Sequence, residues 1–501
     1  MRYYKLLSSQ QLKYWDQETM RIQKISSTEL MERAGTHLFY KFIKRFKNTL
    51  KKHPVYIFCG VGNNGGDGLV MARLLHLSGY HIKTIIVPFT EKFSSDFKIN
   101  LKKLERSGAK IDFFDQQIKL PKKAFVIDAI FGTGLNRPAE GVAKKAIEFI
   151  NKKIHFYTLS IDIPSGMYVD KVNDLQDPII KSDLIFSIEL PKRSFFFPEN
   201  IPYINEIKII KIGLEKKVLK QLKTKYYTYK INVKDGLYRS NDTYKYKFGH
   251  AVIISGSYGM TGAAILASKA CLRAGGGLVT TIAPGSVYIP LQTSVPEAMI
   301  KPALKKNYID EIPELAESTT VVGIGPGLGL KKKTQKAVLK FISKWKKPLV
   351  VDADAINILA MNPEYLKKVP PKSIFTPHDG ELKRLLKPKT WNNSLEKIKL
   401  AKKFAKTHGI IMVLKGPFTA ITDGENVYYN PYANSALAKA GSGDVLTGII
   451  TGIYAQGKSP IKSALLGVQM HTKAAEKFNN KTYNKFSLLA SDLIEALKIV
   501  K

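Results

Sequence analysis

The chain has 501 residues, is 44% hydrophobic, and carries 79 Lys+Arg against 41 Asp+Glu for a net charge of +38. Its length exceeds what one hydrophobic core usually serves, so two domains are expected, and its apolar content excludes a disordered polymer. The longest uncharged stretch, Ala274 to Pro296, is broken by Gly, Pro, Ser and Thr, and Met1 to Lys5 lead into polar sequence, so neither a membrane span nor a signal core is expected and the predicted location is cytoplasmic.

The basic excess is of the kind nucleic-acid binders carry. Its lysines are scattered as short groups such as Lys331-Lys332-Lys333 and Lys402-Lys403, with no aromatic interleaving. A solvated Lys-rich surface is the simpler expectation; nucleic acid is not an expected partner, while anionic nucleotides gain from the field. Two cysteines, Cys59 and Cys271, stand in apolar runs without metal-ligand spacing, which predicts buried free thiols.

Short apolar runs recur at Val55–Cys59, Ile82–Val87, Ala124–Ile127, Tyr157–Ile161 and Leu184–Ile188, with amphipathic stretches such as Leu69–Ser78 and Ala143–Ile150 between them. The pattern resumes at Ala251–Ser255, Thr320–Ile324, Leu349–Val351, Ser373–Phe375 and Ile410–Leu414. This is the pattern of parallel sheets covered by helices, hence an α/β fold in both halves. The segment from Lys216 to Lys247 is Lys/Tyr-rich and weakly periodic, which places the domains at 1–220 and 221–501.

The first strand runs into Gly60-Val61-Gly62-Asn63-Asn64-Gly65-Gly66-Asp67-Gly68 and then a helix. Glycines permit a tight turn and close ligand approach, and a helix N-terminus attracts phosphate. Gly60, Gly62 and Gly65 match the dinucleotide fingerprint, yet the next strand ends at Val87-Pro88 without the ribose-binding acid, and the loop lacks the Lys-Ser/Thr of a P-loop. An ordinary dehydrogenase is therefore disfavoured. Two later strands end at Asp128-Ala129-Ile130-Phe131-Gly132-Thr133-Gly134-Leu135 and Asp162-Ile163-Pro164-Ser165-Gly166. Strand ends line the ligand crevice of open α/β sheets, so Asn64, Asp128 and Ser165 are candidate oxygen ligands for a cation, and Asp162 a candidate proton-transfer group. A strand-end Asp also serves as a helix cap.

These loops, with Leu30-Met31-Glu32-Arg33-Ala34-Gly35, resemble the NAD(P)H-hydrate epimerase domain over residues 1–215. The resemblance implies a Rossmann-like three-layer αβα sandwich. It implies contact of Asn63, Asn64, Gly65, Gly66, Asp67, Gly132, Thr133, Gly134, Leu135, Asn136, Arg137, Pro138 and Asp162 with the hydrated cofactor, and a potassium ion on Asn64, Asp128 and Ser165. The segment Leu190-Pro191-Lys192-Arg193-Ser194 departs from the family in lacking a glycine after the lysine. Similar domains also serve as non-catalytic modules of mRNA-decapping scaffolds; Asp128 and Asp162 are intact here.

In the rear half, Ala440-Gly441-Ser442-Gly443-Asp444-Val445-Leu446-Thr447-Gly448 precedes an apolar helix. Backbone N–H groups at Gly441 to Gly443 suit a transferring phosphoryl group, and Asp444 suits the removal of a proton from an attacking hydroxyl. The helix N-terminus is expected to keep Asp444 ionised. The loop resembles that of ribokinase-like small-molecule kinases. Strand ends at Tyr258 to Ala264, Gly323 to Gly329, Asp352 to Ala355, Thr376 to Glu381 and Leu414 to Gly416 precede it. Together they resemble the NAD(P)H-hydrate dehydratase domain over residues 235–501. That resemblance implies a ribokinase-like αβα fold. It puts Ala263, Gly327, His378 and Asp444 against the hydrate, Lys415, Gly416, Pro417, Phe418, Thr419 and Gly443 against ADP or ATP, and Glu381 near Mg2+ through water. The expected activity is epimerisation of NADHX and NADPHX and nucleotide-driven dehydration of the S form, by a homo-oligomer. A ribokinase-like vitamin kinase and an RNA-binding scaffold are the rival readings.

Overall fold

The computed structural model describes residues 1–232, 237, 240–478 and 484–500. The chain divides into two compact units, residues 5–224 and residues 225–501, the latter joined by residues 1–4. Strand β1 (Arg2–Lys5) accounts for that exchange, since it forms an edge of the rear sheet.

The front unit opens with α1 (Ser9–Gln23) and α2 (Ser27–Leu50), each started by a capping box, Ser8 with Gln11 and Ser26 with Glu29. Strand β2 (Val55–Gly60), α3 (Asn63–Leu77), β3 (Ile82–Val87), α4 (Ser95–Arg106) and β4 (Ile111–Phe113) follow. Then come β5 (Phe125–Ala129), α5 (Gly141–Lys152), β6 (Tyr157–Ile161), β7 (Ser182–Ile188) and β8 (Ile204–Ile210). The seven strands pair in the order β4-β3-β2-β5-β6-β7-β8, parallel throughout. Alternation along β2 separates two apolar layers. Val55, Ile57 and Cys59 pack with α1, α2 and α3, while Phe58 packs with Ala143, Ala146 and Ile147 of α5. The front unit is thus a three-layer αβα sandwich.

The rear unit continues with β9 (Tyr226–Lys230), β10 (His250–Ile254), α6 (Thr261–Arg273), β11 (Leu278–Ala283), β12 (Met299–Pro302) and β13 (Thr319–Ile324). Next are β14 (Leu349–Val351), α7 (Ala353–Met361), β15 (Ile374–Phe375), α8 (Asp379–Leu385) and β16 (Ile411–Leu414). Strands β17 (Ala420–Thr422) and β18 (Val427–Tyr429) precede α9 (Ser442–Ala455) and α10 (Pro460–Phe478). Among the described residues eleven strands form the sheet, in the order β1-β9-β18-β17-β16-β15-β14-β13-β10-β11-β12. From β12 to β16 the pairing is parallel, and β17 turns antiparallel. At the far edge the Tyr3 ring lies 5.6 Å from Tyr428 and 6.5 Å from Tyr227, which explains why the first residues join this unit. Helices α6, α9 and α10 cover one face with a continuous apolar cluster built on Ala251 and Ile253.

Both cysteines are buried and free, as expected. Among the described residues no helix is long and apolar enough to cross a membrane.

Candidate active sites

In the front sheet the chain runs from β2 to β3 and β4 on one side, then from β5 outward on the other, so β2 and β5 flank a topological switch point. A cavity of about 1250 Å³ opens there. Asn63, Asn64, Asp67, the whole loop Gly132 to Pro138, and Asp162 line it. Gly65 and Gly66, expected against the ligand, stand outside this lining. A Cβ on Gly65 would fall 1.6 Å from the Gly60 carbonyl oxygen, and one on Gly66 2.4 Å from Met31 Sδ. These glycines serve the close packing of α3 on β2 and α2; Gly62, with nothing within 4 Å of a Cβ, is the open position.

Asp162 adopts φ 65°, a left-handed conformation that costs a non-glycine residue of order 1 kcal/mol and marks a constrained site. Its N–H bonds the Phe186 carbonyl at 2.8 Å. Oδ1 accepts the Ile188 N–H at 3.0 Å and pairs with Lys192 Nζ at 2.6 Å. Lys192, only 2% exposed, also donates to the carbonyls of Ile188 and Leu190. On sequence, Leu190 to Ser194 stands out only as a departure from the family; the fold adds that Lys192 is the cation that holds Asp162. Asp67 is pushed well above the ordinary carboxyl range by burial and then by Asp162, Asp16 and Asp96.

Asn64, Asp128 and Ser165 meet around the Phe131 peptide. Asn64 Nδ2 donates to the Phe131 carbonyl at 2.9 Å, and Ser165 Oγ accepts the Phe131 N–H at 2.8 Å. The carboxyl of Asp128, fully buried, accepts from Ser160 Oγ at 2.7 Å, Ser165 N at 2.9 Å and Ile130 N at 3.2 Å, and from the Ser165 hydroxyl. Burial raises its pKa against the pull of those hydrogen bonds, and among the described residues no cationic side chain pairs with it.

The rear sheet has its own switch point between β10 and β13. Two strand-end loops dock there. Gly256 N bonds the Pro326 carbonyl at 2.9 Å and Ser257 Oγ the Gly327 carbonyl at 2.8 Å. Ala263 and Gly327 come together, since a Cβ on Gly327 would lie 2.9 Å from Ala263 Cβ. Asp354 secures the loop by accepting the Gly329 N–H at 2.8 Å.

Asp444 lies in the first turn of α9 behind Gly441, whose φ of 82° is open to glycine at low cost. Beside this helix end sits a buried ionic cluster. Lys415 Nζ is 2.8 Å from Asp352 Oδ1 and 3.7 Å from Glu381 Oε2, and Thr447 Oγ1 donates to Asp352 Oδ2 at 2.7 Å. A Cβ on Gly443 would be 3.5 Å from Lys415 Nζ and 3.8 Å from Asp352 Oδ2. The helix end is expected to keep the Asp444 carboxyl ionised, and its shifted affinity still leaves it mostly so at neutral pH. Burial, then Asp352, raise it to about 6 against the pull of Lys415, with Asp354 and Glu381 adding to the rise. Ser442 Oγ is 3.1 Å from Nε2 of His471, which burial lowers to about 4, so a neutral imidazole supports the turn.

His378 caps α8, its Nδ1 accepting the N–H groups of Gly380 at 3.0 Å and Glu381 at 3.3 Å. That leaves the proton on Nε2, 3.2 Å from Glu381 Oε1. The hairpin loop Lys415 to Thr419 leaves Gly416 and Pro417 exposed, and Thr419 Oγ1 closes it onto the Gly416 carbonyl at 3.1 Å. Asp352, Thr447, Lys192 and His471 are the residues that sequence reasoning did not assign. Asp352 had one visible signal, a strand-end acid followed two residues later by another.

Residues 251–498 match the family model described as NAD(P)H-hydrate dehydratase, and residues 27–194 that of the YjeF-related protein N-terminus. Fold and sites thus define a two-domain α/β enzyme whose rear half is of the hydrate-dehydratase class. The bifunctional NAD(P)H-hydrate repair enzyme Nnr of Dictyoglomus turgidum is 32% identical over 99% of this chain and 98% of its own. That of Moorella thermoacetica is 32% identical over 95% of this chain and 92% of its own. A solved ADP/ATP-dependent NAD(P)H-hydrate dehydratase from Bacillus subtilis, co-crystallized with ATP/Mg2+, is 30% identical over 54% of this chain and 94% of its own, with a TM-score of 0.47. The chain belongs to the family of bifunctional NAD(P)H-hydrate repair enzymes.

Proposed function

We infer that the chain restores hydrated nicotinamide cofactors. The front domain interconverts the R and S epimers of NAD(P)HX, and the rear domain dehydrates the S form with ADP (or ATP), releasing AMP (or ADP) and phosphate. The observation that carries the reading is the gathering of Asp444, Lys415 and Asp352 at the amide end of α9.

The hydrate bears a hydroxyl on C6 of the reduced nicotinamide ring, and hydroxide is a poor leaving group. Asp444 takes the hydroxyl proton while the oxygen attacks the terminal phosphoryl group, and AMP or ADP departs from phosphorus. Lys415 and the N–H groups of the Gly441 to Gly443 turn hold the charge on the phosphoryl oxygens. The ring nitrogen's electron pair then breaks the C6–O bond, phosphate leaves, and loss of a C5 proton restores the C5–C6 double bond. Ala263, Gly327 and His378 bound the hydrate, and Lys415 to Thr419 with Gly443 bound the nucleotide. Mg2+ carried with the nucleotide would supply further neutralisation of phosphate charge. Both Glu381 oxygens are already engaged by His378, which fits a water-mediated role toward that ion.

In the front domain, Asn64, Asp128 and Ser165 present only hard oxygen donors, and the buried Asp128 charge has no cationic side chain beside it among the described residues. These residues fit a potassium ion, which would supply positive charge at the cavity wall. Thermal unfolding of the front unit is expected to shift upward with KCl but not with equal NaCl or LiCl. Saturation a hundredfold above Kd is worth about 2.7 kcal/mol. Equal midpoints in the three salts would remove the ion from this site.

The test of the function is recovery of NADH absorbance from a mixed-epimer hydrate with each nucleotide. Complete conversion of both epimers with stoichiometric orthophosphate is expected. A stable phosphoester product would instead make the rear domain a kinase.

A further inference from the structure

We propose that Asp16, on α1, is a second proton-transfer residue of the front cavity, acting as the acid that partners Asp162. The proposal rests on the epimerase reading of that cavity and adds a residue to it.

Asp16 lines the same cavity as Asp162, from a different wall. Helix α1 is fixed against its own unit: Ser9 bonds Asp170 through N and Oγ at 2.9 and 2.8 Å, Trp15 Nε1 bonds the Glu215 carbonyl at 2.8 Å, and Thr19 Oγ1 accepts the Glu215 N–H at 3.0 Å. Trp15 and Thr19 are buried, so Asp16 sits on the rim of the packed face. Among the described residues its carboxyl makes no hydrogen bond and no ion pair, whereas Asp162 is tied to Lys192 at 2.6 Å. Half-buried at the cavity wall, that carboxyl is free to meet a ligand. The charged groups around it are Asp162, Lys192 and Glu189, with Asp67 on α3 and Lys13 on its own helix. Burial first, then Asp162, raise the Asp16 carboxyl to about 7, with Lys192 opposing and Glu189 assisting. Two carboxyls in contrasting environments divide into acid and base.

The chemistry needs both. C6 of the hydrate is a carbinolamine carbon, bonded to oxygen and to the ring nitrogen. Asp162 takes the hydroxyl proton, the C6–O bond becomes a carbonyl, and the N1–C6 bond breaks with its pair on nitrogen. Asp16 gives its proton to that nitrogen, whose conjugation to the ring carboxamide makes it a competent leaving group. Rotation about C5–C6 turns the other carbonyl face to nitrogen. Closure returns the nitrogen proton to Asp16 and the Asp162 proton to oxygen, so no proton or electron is gained or lost.

The experiment follows interconversion of the purified R epimer by the full chain without nucleotide, above the spontaneous rate. Asp16→Asn is expected to lower enzymatic interconversion at least about 100-fold. Thermal unfolding of the front unit, unchanged in the same preparation, reports that the domain carrying Asp16 is folded. A second measurement uses the unaltered protein. Because the acid form of Asp16 is required, kcat/KM for epimerisation falls as pH rises through about 7. Undiminished interconversion by Asp16→Asn, or a profile level across that range, overturns the role of Asp16 while leaving the epimerase reading intact. Absence of enzymatic interconversion by the unaltered protein overturns both.

Discussion

Asp444→Asn is expected to abolish most nucleotide-driven dehydration, with a fall of about 100- to 10,000-fold in kcat at saturating S epimer and ADP. Asparagine keeps the shape of the side chain and loses only its ability to accept the hydroxyl proton. The unaltered protein should show kcat/KM rising with pH through about 6 and then levelling, because the base works only when ionised and burial sets its carboxyl at about 6. In Asp444→Asn that limb disappears. Stability should move the other way. A carboxyl whose folded pKa is raised costs stability once pH exceeds its unfolded value, and the full cost is present above about 6. Removing the charge relieves its repulsion with Asp352, Asp354 and Glu381, so the rear unit of the variant should unfold no earlier than normal at neutral pH. Dehydration at the original rate would show that another group takes the proton.

The central strands of the two sheets were legible because buried parallel strands are short apolar runs that end in Gly, Asp or Pro. Leu349–Val351, Ile82–Val87 and Tyr157–Ile161 stand at the positions the runs predict. The small strands β1, at an edge of the rear sheet, and β17, inside it, lack that signature, being partly polar. Side chains at the ends of those runs were legible as candidates, because loop position and residue type suffice to single them out. Their electrostatics were not. Lys415 and Asp352 are 63 positions apart, and only the fold reveals that they share one buried contact. Asp444 reads locally as a helix-start acid, while burial first, and then groups distant in sequence with Asp352 foremost, raise its proton affinity. Asp16 looks like the polar flank of an amphipathic helix until the cavity behind it is seen. Gly65 has a role that loop position alone does not show, since its missing Cβ permits the close backbone packing on Gly60.

Lys415→Met, Asp352→Asn and their double variant separate what the buried pair does for folding from what it does for catalysis. Lys415 Nζ and Asp352 Oδ1 stand 2.8 Å apart, with side chains 21% and 2% exposed. Burial pushes the Lys415 ammonium down, but Asp352 and Glu381 outweigh it, so it stays charged across the working range. Removing the lysine alone strands the Asp352 carboxylate with the Thr447 hydroxyl as its remaining polar partner in this cluster, and breaking one side of a buried pair costs about 3–5 kcal/mol. Asparagine at 352 in the same protein removes the stranded charge while still accepting from Thr447. The double variant should therefore recover most of the lost unfolding midpoint of the rear unit, a non-additivity that double-mutant analysis reads directly. Catalysis should not recover with it. Without the ammonium beside the Gly443 turn, nothing replaces its charge on the transferring phosphoryl group, and dehydration stays at least about 100-fold down in both variants that lack the lysine. Thermal unfolding without ligand, set beside dehydration rates with ADP, reads both outcomes. A Lys415→Met protein that melts at the normal temperature would show that the pair does not hold the fold. Turnover regained in the double variant would show that Lys415 serves only to neutralise Asp352.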